Sequence, residues 1–124
     1  IVDYKTGSAP ENQEIESGFS PQLAVEALIA AAGGFDDIEA ATASQFAIWQ
    51  LRGGVEAGKV KDYPRLDVAV AVQRTGVGLV NYIAAFDDLD MPYRSQPRPE
   101  NAPKFSDYEH LARVQEWSAT GDEE

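Results

Sequence analysis

Cysteine is absent from the 124 residues, and methionine and histidine occur once each, as Met91 and His110. Without thiols the chain can hold no disulfide, no thiolate zinc centre and no cysteine-bound iron–sulfur cluster. No uninterrupted run of eighteen apolar residues occurs, and no basic leader followed by an apolar stretch opens the chain. The expectation is therefore a cytoplasmic protein with no membrane partner. Positive charge is scarce, with ten Lys and Arg against 21 Asp and Glu, for a net charge of −11. Phosphate contacts need a positive surface. A role on nucleic acid would thus be confined to a metal site, or would borrow a basic groove from elsewhere. Most of the acidic side chains read as a solvating surface, and Gly121-Asp122-Glu123-Glu124 as a frayed end. Neither a Gly-rich phosphate loop nor a Ser/His/Asp or Cys/His arrangement is present, which leaves small-molecule catalysis without support.

What is there is enough for one folded domain: 44% of the residues are hydrophobic and 10% aromatic, unlike a disordered segment. Ile1 to Lys5 alternates and is β-branched at its start, so it reads as a strand. A strand at the first residue, with no Met before it, implies a piece cut from something longer. Pro10 to Ser17 predicts a short helix ending at Gly18. Ser20 should cap a second helix with Pro21 in its first turn, running from Gln22 to Ala32 and closed by Gly33-Gly34. Ala43 to Leu51 is a strand with apolar residues on both faces, expected to be covered on two sides. Val55 to Tyr63 reads as a more polar edge strand.

Leu66 to Asp88 carries two patterns. Asp67 to Val72 alternates as a strand would, whereas Leu66, Val70, Gln73, Val77, Val80 and Ala84 fall at helical spacing. The length favours one long helix, weakened at Gly76 and Gly78. Residues 92–104 form a Pro-rich extended connector. Ser106-Asp107-Tyr108-Glu109 has the form of a capping box opening a last amphipathic helix through Trp117, with Tyr108, Leu111, Val114 and Trp117 as packing residues. His110 on that helix has no carboxylate-rich setting and reads as a surface or packing residue.

Asp3 and Lys5 stand two apart on a strand, so they share a face about 6.6 Å apart along it, and Tyr4 turns the other way into a core. On its own the pair has two readings. One is a surface ion pair of little energetic consequence. The other is a hydrolytic site. Asp3 would then take a hard cation such as Mg²⁺, aided by the backbone carbonyl of Tyr4, and Lys5 would orient water or neutralise an oxyanion. Gln22 and Glu26 lie one helical turn apart. They read either as a solvated helix face or as looking toward Asp3 and Lys5.

Val2-Asp3-Tyr4-Lys5-Thr6-Gly7, followed by Pro21-Gln22-Leu23, resembles the third nuclease motif and the following Gln motif of the RecB-like branch of the PD-(D/E)XK superfamily. Ala47 to Gly54, Ile83 to Asp88 with Pro92-Tyr93, and Asp107 to Trp117 resemble AddB-type subunits of alphaproteobacterial helicase–nucleases, a likeness over nearly the whole chain. The resemblance implies an α/β fold, a partial restriction-endonuclease-like domain whose short mixed sheet is flanked by helices, with residues 1–124 as its C-terminal portion. It makes Asp3 a metal ligand, Lys5 the catalytic lysine and Gln22 the organising glutamine. The implied reaction is Mg²⁺-dependent hydrolysis of single-stranded DNA from an unwound duplex end, beside an AddA-type helicase subunit, in double-strand break repair. The chain departs from that pattern by having Glu26 where a Tyr is common. It also lacks the cysteines that hold an iron–sulfur cluster in some relatives, so no cluster is expected here. The acidic residues the family carries upstream of the Asp-x-Lys strand have no counterpart. The chain by itself is accordingly expected not to cleave. A nuclease-like scaffold that guides DNA or holds the helicase subunit is the alternative.

Overall fold

The computed structural model describes residues 1–55, 57–94, 98 and 109–113. It is an α/β protein. Strand β1 (Val2–Lys5) is followed by helices α1 (Asn12–Glu16) and α2 (Gln22–Ala31), strands β2 (Ala47–Leu51) and β3 (Gly58–Asp62), helix α3 (Val68–Phe86) and a short α4 (Glu109–Ala112). The three strands form a mixed sheet in the order β1-β2-β3. β1 runs parallel to β2 with Asp3 opposite Ile48 and Lys5 opposite Gln50. β3 returns antiparallel, with Gln50 opposite Lys59. The parallel pair needs a crossover, and α1 and α2 supply it. Contacts divide the chain into two units, Ile1–Asp87 and Asp88–Glu124; the sheet and α1 to α3 make up the first.

Local sequence explains the helices. Glu11 and Glu14 form a reciprocal capping box at α1, and Gly18 takes φ +81 just beyond its end. α2 is capped at Pro21 rather than Ser20, and no side chain closes its first turn. The Ser hydroxyl predicted to do so is one residue too early for the orphan amides. Asp67 does cap α3, its carboxylate accepting from the Val70 amide at 3.0 Å. The long segment is therefore helix, as its length favoured. The buried stripe differs from the predicted one: Val70, Val77 and Val80 are exposed, while Ala71 is buried and Val68 and Val72 pack on the core. Gly76 lets α3 approach Leu28 of α2. By length and composition alone α3 could cross a membrane, at mean hydropathy 1.2, with little of it buried; Gln73, Arg74 and Asn81 interrupt its apolar run.

The core lies on one side of the sheet. Phe46, Ile48, Ile15, Leu23, Ala24 and Ala27 gather there with Tyr63 and Leu66. The opposite side is open: Val2, Tyr4, Trp49, Leu51 and Val60 are all exposed. This corrects two expectations. Tyr4, expected in a core, is 60% exposed and meets Trp49 edge-on at 5.6 Å between ring centres. Among the described residues of β2, expected to be covered twice, the face toward α1, α2 and α3 is covered, whereas on the other Ala47 is buried and Trp49 and Leu51 are exposed.

The predicted connector and last helix fall mostly outside the described residues. Within them, Glu109–Ala112 is helical and Arg113 turns at φ +52. Leu111, expected to pack, is 68% exposed.

Candidate catalytic site

The period-two geometry of β1 puts Asp3 and Lys5 on the face of the sheet that carries the core, near its rim. Their side chains meet: the Lys5 Nζ lies 2.9 Å from the Asp3 Oδ2. The first residue of α2 comes to the same place. The Lys5 ammonium donates to the Gln22 Oε1 at 3.1 Å. One turn on, the Gln22 Nε2 donates to the Glu26 Oε1 at 3.1 Å. Asp3, Lys5, Gln22 and Glu26 thus form one chain of polar contacts across two elements. The crossover between β1 and β2 brings α2 back over β1, joining residues 17 positions apart.

The Asp3 carboxylate is the least satisfied group in this chain of contacts. Its Oδ2 is buried and accepts no aligned hydrogen bond, although the Lys5 Nζ is close enough for one. The ammonium approaches off-axis, so the contact is Coulombic. Asp3 keeps 16% side-chain exposure and Lys5 32%, so the pair lies at the boundary with solvent. A buried carboxylate oxygen is costly unless paired, and here the Lys5 ammonium at 2.9 Å supplies the opposite charge. Such an oxygen suits a hard divalent cation.

The carbonyl of Tyr4 also has a defined direction. In a parallel ladder alternate residues bond the neighbouring strand. The Ala47 amide donates to the Ile1 carbonyl, which assigns Ile1, Asp3 and Lys5 to β2 and turns the Tyr4 carbonyl toward the open edge. Asp3 and this carbonyl therefore fit a cation as part of a site. Among the described residues no cluster of three His, Cys, Asp or Glu could hold one. Further ligands would have to come from water, substrate or another segment.

Gln50 is a further structural participant, and its alternation with Phe46 and Ile48 is the sequence signal that places it on the inner face. It is 4% exposed, and its Nε2 donates to the Gly7 carbonyl at 2.8 Å. This ties the turn after Lys5 to the central strand. Tyr63 makes a similar tie, donating its hydroxyl to the Pro10 carbonyl at 2.9 Å. Burial first, then the charges of Glu11 and Glu14, raise its hydroxyl pKa to about 12. A shallow pocket formed by Glu16, Asp67, Val70, Ala71 and Arg74 shares no residue with the Asp3 chain of contacts. His110 is exposed on α4, in the second unit.

No family model matches the chain, and no solved structure matches it. It is similar over a short stretch to long rickettsial proteins. An uncharacterized protein of Rickettsia bellii is 53% identical over 36 residues, which is 29% of this chain and 4% of that protein. The figures for an uncharacterized protein of Rickettsia felis are the same. One from Rickettsia conorii is 54% identical over 35 residues, 28% of this chain and 4% of its own length. The chain thus matches about 4% of the length of these curated relatives. These findings correct the AddB resemblance. In place of an AddB likeness over nearly the whole chain, the similarity found is to uncharacterized proteins over about 36 residues, none of them named AddB or a nuclease.

Proposed function

We propose that this chain is part of a Mg²⁺-dependent DNA-hydrolysing unit with a PD-(D/E)XK-like core, in which Asp3, Lys5 and Gln22 serve the reaction. The observation that carries this reading is the Asp3 carboxylate, mostly buried and paired with an ammonium at 2.9 Å that Gln22 also grips from another element. A simple surface ion pair would be solvated on both sides and would not recruit a glutamine from a distant helix.

A Mg²⁺ held by Asp3 and the Tyr4 carbonyl would supply acidity to bound water and draw charge from a phosphodiester. The chain's own groups have definable tasks. Asp3 offers a carboxylate on the edge strand β1, close to solvent but only 16% exposed. The Lys5 ammonium has three protons; with Asp3 and Gln22 on two sides, its remaining direction can serve an attacking water or a phosphate oxygen. Gln22 fixes the ammonium against rotation. The net negative charge leaves substrate capture to other parts of a larger assembly, such as a helicase subunit delivering a single strand.

The test is Mg²⁺-dependent cleavage of single-stranded DNA by the full-length protein. Asp3→Ala and Lys5→Ala should each lower cleavage on the order of 10²–10³-fold without disturbing assembly with partners. Unchanged cleavage in both would remove the pair from any mechanism. The 124-residue chain alone should be inactive, since Asp3 and the Tyr4 carbonyl fill only a small part of a Mg²⁺ shell and no three-ligand cluster accompanies them among the described residues. A non-catalytic scaffold is the second reading, favoured by the lack of a three-ligand cluster among the described residues; it predicts no Mg²⁺-dependent cleavage by the full-length protein.

A further inference from the structure

We propose that Glu26 is a positioning residue: it sets the orientation of the Gln22 amide and thereby the direction of the Lys5 ammonium. The inference rests on the hydrolytic reading for its purpose, but its geometry stands apart from it. Gln22 has two chemically different ends, an accepting oxygen and a donating nitrogen. Its neighbours are also of two kinds. The Lys5 ammonium can only donate and the ionised Glu26 carboxylate can only accept. One amide orientation satisfies both, with Oε1 toward Lys5 at 3.1 Å and Nε2 toward Glu26 at 3.1 Å. The flipped amide would face donor with donor and acceptor with acceptor.

The constraint matters because, among the described residues, only Lys5 and Glu26 hydrogen-bond this side chain. Gln22 is the exposed first residue of α2, and a terminal amide torsion is broad and soft. Without Glu26 the amide can turn its NH₂ toward Lys5 and push the ammonium away from its place beside Asp3. Glu26 is half-buried one turn along the same helix, where the i, i+4 spacing brings it within reach. Its backbone is fixed by α2, with Ala27 buried at the next position. The carboxylate therefore acts on Lys5 at one remove, and Gln22 is the lever.

The experiment compares Glu26→Ala and Glu26→Gln in two settings. In the 124-residue chain, hydrogen exchange of the Gln22 side-chain amide protons is followed by NMR, with circular dichroism as the check on folding. Glu26→Ala should speed that exchange several-fold and shift the Lys5 Nζ resonance. Glu26→Gln keeps an acceptor and should stay close to the parent. In the full-length protein, Glu26→Ala should lower kcat about 10–100-fold, the range typical of residues that orient a primary group. KM should be unchanged, and Glu26→Gln should restore most of the rate. Unaltered Gln22 exchange in folded Glu26→Ala overturns the proposal, as does a Glu26→Gln protein as impaired as the alanine variant. If the NMR changes occur while the full-length protein cleaves nothing, the positioning stands and the hydrolytic reading falls.

Discussion

Tyr63 illustrates how a single buried polar group can be read for both stability and pH dependence. Its ring sits in the core at 3% exposure, and its hydroxyl satisfies the Pro10 carbonyl. Tyr63→Phe should cost about 1 kcal/mol at neutral pH, because a partly buried carbonyl loses its donor. Calorimetry or denaturant unfolding would measure it. The raised pKa makes the contribution pH-dependent with a definite sign. The ordinary value is 10.0 and the folded value about 12, so between these the folded state holds a proton that the unfolded chain has released. The stabilisation is present in full below pH 10 and is lost as pH rises toward 12, by on the order of 2 kcal/mol. The parent's advantage of about 1 kcal/mol over Tyr63→Phe should vanish within that window and reverse toward its upper end. A difference that stays constant would mean the hydroxyl titrates normally.

At the scale of elements, the β2–β3 pairing depends on one glycine. Gly58 opens β3 at φ +144, and a Cβ there would run into the Gln50 carbonyl. Both the backbone conformation and the space require glycine. Gly58→Ala should destabilise the protein by about 1–3 kcal/mol, visible as a lower unfolding midpoint. A neutral outcome would show that the strand shifts its register instead. β2 itself carries the greater structural load. It pairs with β1 on one side and β3 on the other, contributes buried Ile48 to the core, and holds the Gly7 turn through Gln50.

At the scale of the first unit, the sheet has one covered face and one open apolar face. A buried tryptophan truncated to alanine typically costs 3–5 kcal/mol. Trp49 is 43% exposed and has Tyr4 as its aromatic neighbour. Trp49→Ala in the 124-residue chain should therefore cost only about 1 kcal/mol, the order of an aromatic pair. A loss of 3 kcal/mol or more in denaturant unfolding would mean that this face is covered in solution.

Periodicity and turn chemistry alone were enough to place most elements. Alternation marked β1 and β2, Gly18 and Gly33 marked the ends of α1 and α2, and length favoured helix for α3, because these signals act within a few residues of backbone. Alternation likewise put Asp3 and Lys5 on one face and Tyr4 on the other. Tertiary structure decided everything that depends on distant chain segments meeting. It brought Gln22 to Lys5 rather than leaving it on a solvated helix face, set Glu26 against that amide, buried Ala71 instead of Val70, and left Tyr4 and Trp49 partly exposed. The physical reason is that periodicity reports which side chains share a face, whereas burial and polar contact depend on what the rest of the fold places against it.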